Sequence, residues 1–324
     1  MKIGIWALLV GLSLMVGCDN KNTIASAKFR VAMILPGNEN DRGWNQMARE
    51  GLDQIREELG AETKIVTNVK ASEFASQINY FAGEGFDVVI CHGFEFHTDA
   101  ATAAKKYPKT QFVVGGCPEE VPGAIAVDFS VRDASYLTGV VAANVSKTRR
   151  IAFVGAMPIP TLQACYDGMS EGAMSVKQLP AVTVLPALWT DSWDSAAKAK
   201  EKAETAIGAG ADVIFKNVDA AAQGVFEAAS EASKKQLTYA FGCNRNQNGN
   251  APQVILGSVV IDVPRTYREI AHDARGKAPI TQTLKLGLKG GYVDLVLNEK
   301  HPAVTAEIRG QVDAARNLLL TRKP

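Results

Sequence analysis

From residue 29 onward the chain alternates mostly apolar runs with amphipathic stretches. Residues 29–35 (FRVAMIL) are β-rich and apolar, and 44–59 then places Met47, Leu52 and Ile55 at helical spacing. The alternation continues with strands expected at 62–66, 87–91, 111–115 and 124–129, and helices at 72–84, 98–106 and 132–145. Runs such as DVVIC and QFVVG show no polar alternation, which is how strands buried on both faces of a parallel sheet read. A second series starts at Ile151 with IAFVG. It continues with a helix at 162–175, a strand at 182–185, a helix at 194–208, the strand DVIF at 212–215, a helix at 220–233, and strands at 237–241 and 253–260. Repetition of one β/α series predicts an α/β protein of two lobes, each a doubly wound parallel sheet. The helix at 264–275 is expected to return to the first lobe, and a strand at 283–288 and the last helix, 302–320, to the second. The lobes would then be 29–147 with about 261–282, and 148–260 with about 283–324, joined by hinge crossovers.

The first residues read differently. Met1 and Lys2 precede an apolar run of about fourteen residues, 3–16, which ends in Gly17 and Cys18. That run is shorter than the roughly 20 residues of a membrane-spanning helix and has the layout of a secretory signal peptide, 1–17. Leu14-Met15-Val16-Gly17-Cys18 resembles the lipobox of bacterial lipoproteins, which implies acylation of Cys18 and membrane attachment through lipid, with Met15 departing from the usual Leu. Residues 18–28 would be the lipidated cysteine and a polar tether. Asp19 resembles a retention signal for the inner membrane, so the expected location is the periplasmic side of the cell membrane.

Length agrees with two lobes, since 324 residues is about two domains' worth of chain. Charge removes partners rather than naming one. Lys plus Arg number 35 against 34 acids, and cleavage before Cys18 deletes Lys2 and no acid, so nucleic-acid binding is not expected. The near-zero charge fits a neutral, flat ligand better than a phosphorylated one. Of the remaining cysteines, Cys91, Cys117, Cys165 and Cys243 lack metal spacing. Cys91 and Cys117 each end an expected strand, which leaves open a disulfide or two buried thiols.

In open parallel sheets the ligand lies beyond the carboxyl ends of the strands. After the first strand, residues 37–46 (GNENDRGWNQ) offer Asp41, Trp44 and Asn45 just before a helix. Asp41 is either a helix cap or a ligand group, and Trp44 either a hydrophobic staple or a stacking face. After the third strand, His92-Gly93-Phe94-Glu95-Phe96-His97 sets Phe94 and Phe96 beside polar groups; His92 and His97 have no third partner in a metal register. Asp128, Asn217, Asp219 and Trp193 stand at the same kind of strand-to-helix junction. No GxSxG, P-loop or GxGxxG motif follows any strand, so an enzyme is not expected, and Asp41 with Asp128 is the only acid/base pair to nominate. No cofactor is implied.

NDRGWNQ (40–46), GFEF followed by TDA (93–100), VDFSVRDASYLTGVVAA (127–143) and GAGADVIF (208–215) resemble the basic membrane protein family of bacterial lipoproteins, the substrate-binding components of ABC importers. The resemblance implies the two-lobe type I periplasmic binding protein fold, no catalysis, and permease and ATPase subunits as partners of a monomeric receptor. It also implies that Asp41 and Asn45 read a purine, with Trp44 stacking on it. Where nucleoside-binding relatives carry an Asp and a Lys for the ribose, this chain has Cys243 or Asn244, and Val260. Together with the AMPIP (156–160) and FKNVDA (215–220) segments, which resemble a branch taking free bases, this favours a nucleobase such as adenine. A purine nucleoside receptor and a sensory ligand-binding lipoprotein are the alternatives; an enzyme acting on nucleosides is the more remote one.

Overall fold

A computed structural model describes residues 28–177 and 180–322; the signal segment, Cys18 and nearly all of the tether expected from sequence lie outside them. The chain opens with β1 (Arg30–Ile34), α1 (Trp44–Leu59), β2 (Glu62–Val66), α2 (Phe74–Gly83), β3 (Val88–His92), α3 (His97–Lys106), β4 (Gln111–Gly115) and β5 (Ala124–Phe129). Then come α4 (Arg132–Val145), β6 (Arg150–Gly155), α5 (Pro160–Ser175), β7 (Thr183–Val184), β8 (Leu188–Trp189), α6 (Ala196–Gly208), β9 (Val213–Asn217), α7 (Ala222–Ala232), β10 (Tyr239–Asn244) and β11 (Ile255–Ile261). The last run is α8 (Val263–Ala274), β12 (Gln282–Leu286), β13 (Val293–Leu297) and α9 (Ala306–Thr321).

Two sheets result. The first has order β12-β5-β4-β3-β1-β2 and every pairing in it is parallel; the second has order β13-β11-β10-β9-β6-β7, with β8 also on β6 and only β13 antiparallel. The continuous apolar runs of β3 and β4 are buried throughout, as a strand covered by helices on both faces must be. Helix α1 buries Met47, Ala48, Gly51, Leu52 and Ile55 as one stripe and stops at Gly60, whose left-handed φ of 61° ends it.

The lobes divide differently from the sequence-based boundaries. Strand β12 pairs with β5 in the first sheet, whereas 283–288 was expected in the second lobe. Helix α4, expected in the first lobe, packs along α5 in the second. That contact is close because Gly139, Gly168 and Gly172 stand where a side chain would strike the facing helix backbone. Strand β13 closes the second sheet's edge and was not anticipated, Asp294 interrupting its otherwise apolar VDLVL. The chain crosses between lobes at 129–132, 261–263 and 286–293. The crossings are tied together, with the Ser130 N–H donating to the Leu286 carbonyl at 3.0 Å and the Asp262 N–H to that of Tyr292 at 2.8 Å. Among the described residues no helix is long and apolar enough to cross a membrane.

Candidate functional site: a cleft between the lobes

The carboxyl ends of both sheets face one cavity of about 500 Å³, within the range of small-molecule sites. Each wall comes from loops that follow strands.

On the first lobe, the loop after β1 is organised by Asp41. Its Oδ1 accepts from the N–H groups of Gly43 (2.8 Å) and Gln46 (3.0 Å), and its Oδ2 from the Asn45 N–H and Asn45 Nδ2, both at 2.9 Å. Asp41 thus caps α1, satisfying amides that the helix start leaves without partners. It also fixes Asn45, whose Oδ1 is buried without a hydrogen-bond partner.

Trp44 is held from behind. Its indole stacks on the His92 ring, with centroids 4.0 Å apart and planes 20° apart, and meets Phe129 edge-on at 5.7 Å. The Trp44 carbonyl can only accept, so His92 Nε2–H donates to it at 3.0 Å, which leaves Nδ1 to accept the Tyr267 hydroxyl at 2.5 Å. Burial pulls the His92 pKa down to about 3, so this ring stays neutral. Two glycines make room. A Cβ on Gly115 would collide with the Tyr267 hydroxyl, and one on Gly116, at φ +71°, would stand 3.2 Å from the indole. Tyr267→Phe would leave His92 Nδ1 buried without its donor, costing about 1–2 kcal/mol of stability. Thermal unfolding of the variant checks this, and unchanged stability would show that the bond does not matter.

The second lobe supplies Thr161, Leu162, Ser192, Trp193, Asp194, Asn217, Asp219 and Asn244. Asn217 Nδ2 lies 3.7 Å from Cys165 Sγ, and Asn244 Nδ2 donates to Asp219 Oδ1. Asp219 (φ +40°) and Asn244 (φ +75°) both adopt left-handed backbone, a strained conformation that non-glycine residues keep only where their surroundings impose it. Asp219 lines the cleft and is half-buried. The protein around it pushes its pKa up to about 7, chiefly by desolvation and then by the Asp41 charge; Lys216 and Asn244 act in the opposite sense. Lys216 itself is buried, its Nζ 5.4 Å from the Phe226 ring centroid, and burial pulls its pKa down to about 8. Because the folded pKa of Asp219 lies above its ordinary value, its contribution favours the folded state at low pH and fades as pH rises towards 7. Asp219→Asn is therefore expected to melt progressively higher relative to the parent protein as pH goes from 5 to 8. Melting curves across that range test it; a constant gap would place the carboxylate in an ordinary solvated setting.

The lobes meet at the rim. A Cβ on Gly43 would stand 3.6 Å from the Asp219 Cα, and Arg245 of the second lobe pairs with Glu50 of α1 at 2.9 Å.

Of the residues nominated from sequence, the fold gathers Asp41, Trp44, Asn45, Phe94, Trp193, Asn217, Asp219 and Asn244 on the cleft wall. Phe96, Asp128 and Cys243 stand elsewhere. Phe96 turns into the first lobe's core against Phe74, with centroids 3.9 Å apart. Asp128 and Cys243 lie one residue before Phe129 and Asn244, which do line the cleft, and side chains alternate faces along a strand. Asp128 instead accepts a hydrogen bond from Ser130, and Cys243 is buried in the core. Cys91, Cys117, Cys165 and Cys243 are all buried thiols. His92 serves Trp44, and His97 stacks on Phe94; among the described residues no three metal-ligating side chains gather. Glu95, Asn38, Asn68, Thr161, Ser192 and Asp194 were not nominated. Glu95, between two nominated aromatics, and Ser192 and Asp194, flanking Trp193, were detectable as polar neighbours of loop aromatics.

Two lobes of parallel sheet joined by three crossovers, with a ligand-sized cleft between them, define a periplasmic binding protein-like fold, the form of ABC transporter substrate-binding proteins. A solved solute-binding protein of an ABC transporter system from Aeropyrum pernix K1 shares it at a TM-score of 0.77 and 20% identity, over 90% of this chain and 91% of that one. The family model for PnrA-like ABC transporter substrate-binding proteins matches residues 28–320, and the chain belongs to this Bmp family, whose members bind substrates rather than transform them. It is 27% identical to the ABC transporter nucleoside-binding protein BmpA of Lactococcus lactis, over 97% of this chain and 95% of that protein. It is 25% identical to a purine-binding protein of Brucella abortus, over 84% of this chain and 76% of that protein.

Proposed function

We propose that the protein captures a purine-type ligand, a free nucleobase such as adenine in preference to a nucleoside, and hands it to the permease of an ABC importer. The carrying observation is Trp44, a flat face held in place by His92 and Phe129 at the wall of a closed-in cleft rich in amides and carboxylates. Trp44 stacks on the ring, Asn45 and its neighbours hydrogen-bond the ring's edge, and Trp193, Phe94 and Asn217 complete the walls. A free base suits the site because the positions at which nucleoside-binding relatives carry an Asp and a Lys are Cys243 or Asn244, neither of them an acid, and the uncharged Val260. Lobe closure around the ligand gives the permease a form to distinguish from the empty one. The receptor works as a monomer on the periplasmic side of the membrane, tethered through an acylated Cys18.

Titration calorimetry with adenine, hypoxanthine, guanine and the matching nucleosides tests the ligand assignment. Micromolar or tighter binding, roughly −8 kcal/mol, is expected for at least one base, with its nucleoside at least tenfold weaker. A tighter nucleoside would overturn the free-base preference, and flat titrations throughout would overturn the purine reading. Mass spectrometry of small molecules released on denaturation gives an independent answer. Cys18→Ala should move the protein from the membrane fraction to the soluble one.

A further inference from the structure

The polar inventory of the cleft is one-sided. Four carboxylates line it, Asp41, Glu95, Asp194 and Asp219, and among the described residues no Lys, Arg or His does. An ionised carboxylate only accepts hydrogen bonds, so the walls present an excess of acceptors and negative charge. Asn45 adds to it. The residue is 7% exposed and its Oδ1 is a buried acceptor with no partner, while its amide nitrogen is committed to Asp41. Leaving such a group unpaired costs free energy, and a ligand donor could reach it only after the loop shifts to uncover it.

The charges are not equivalent. Asp41 is balanced by four hydrogen bonds, three of them from backbone amides at the start of α1. Glu95, on the first lobe, curls back over Gly93, so that a Cβ there would lie 2.5 Å from its Oε2, and a hydrogen bond from its own backbone N–H offsets part of its desolvation. Glu95 is exposed at the cleft, and partial desolvation still raises its pKa. On the second lobe Asp219 has one donor, Asn244 Nδ2, and the nearby cation, Lys216, lies outside the cleft lining and over the Phe226 ring. Glu95 and Asp41 both oppose ionisation of Asp219. Lobe closure over a ligand would lower the polarisability around these groups and strengthen the repulsions, and a positive charge between the lobes would relieve them.

We infer that the cleft takes a flat heteroaromatic cation in preference to a neutral ring of the same size, with the charged edge of the ring set between Glu95 and Asp219 and its face on Trp44. This rests on the purine-type reading and narrows it. A neutral base leaves the carboxylates to be neutralised by protons, whereas a cation lets them ionise and adds a cation–π term with the indole. The preference should therefore be large where Asp219 would ionise, at pH 7.5, and small at pH 5.5, where it holds a proton. The other groups facing it, Asp41, Glu95, Lys216 and Asn244, do not reverse that sign.

The test compares 1,9-dimethyladenine, which is protonated to a cation at both pH 7.5 and pH 5.5, with its isomer N6,9-dimethyladenine, which is neutral there, with adenine alongside, by calorimetry on the whole protein. The expected result is at least tenfold tighter binding of the cation at pH 7.5, falling to within about threefold at pH 5.5. The ratio should also shrink in Glu95→Gln and in Asp219→Asn, two substitutions of nearly equal size that keep the fold measurable by thermal melting. If adenine binds but the isomers bind equally, or neither binds, or the ratio survives both substitutions, the inference is overturned while the purine reading stands. If neither adenine nor either isomer binds, the purine reading fails and the inference falls with it.

Discussion

Trp44→Ala is expected to weaken binding of a purine base by about 1–3 kcal/mol, roughly 5- to 150-fold, while the protein stays folded. The size follows from how the indole is held. Its rear face is against His92 and its edge against Phe129, so the ring is ordered before the ligand arrives and little rotamer entropy is lost on stacking. Alanine removes the stacking surface and exposes the His92 ring in its place. Trp44→Phe, which keeps a flat face of smaller area, should recover part of the loss. Calorimetric titration of the three proteins decides the matter, and equal affinities would make Trp44 a packing residue at the start of α1 with no part in binding.

Gly172→Ala is the substitution expected to damage the fold most for its size. One methyl group at Gly172 would enter the space of the Tyr136 carbonyl, at the crossing where Gly168 lies against the Arg132 carbonyl and Gly139 against that of Met169. Overpacking of this kind costs about 3 kcal/mol, because both partners are helix backbones and neither can rotate away. For a protein of this size that corresponds to a fall of roughly 5 °C in melting temperature. The α4–α5 seam also fixes the chain just after its first crossing between lobes, so ligand affinity should fall alongside stability. Gly208→Ala, at a position with open space around it, is the matched control and should be nearly neutral. Equal melting temperatures for the two variants would mean that the helices can move apart at little cost.

Much of the architecture was legible because the signals that carry it are local. The buried strands β3 and β4 announce themselves as unbroken apolar runs, and the stripe of α1 as helical spacing, since each reports burial of nearby positions. The placement of β12 was not legible. Its sequence, QTLKL, suits an edge strand in either sheet, and its position beside β5 depends on a partner more than 150 residues earlier. For α4, small residues signal close packing without naming the helix they meet.

The site divides the same way. Trp44 and Asn45 stand out from sequence as an aromatic and an amide at a strand-to-helix junction. That Asp41 directs its four hydrogen bonds to the start of α1, three from backbone N–H groups and one from Asn45 Nδ2, is decided by the folded loop. A one-residue step along a strand also separates Cys243 and Asp128 from the cleft residues beside them, a distinction that strand register makes and composition does not.

By itself, then, the sequence determined two β/α lobes, the loops from which a binding site must be drawn, and the kinship with ABC substrate-binding proteins. Only the tertiary structure decided which side chains of those loops share one cavity, that His92 and Tyr267 hold Trp44 from behind, and that the cavity's charge is all of one sign. The physical reason is range. Hydrophobic periodicity records each residue's own burial, whereas a cleft is made by chain segments far apart in sequence, and its electrostatics exist only once the lobes have excluded water between them.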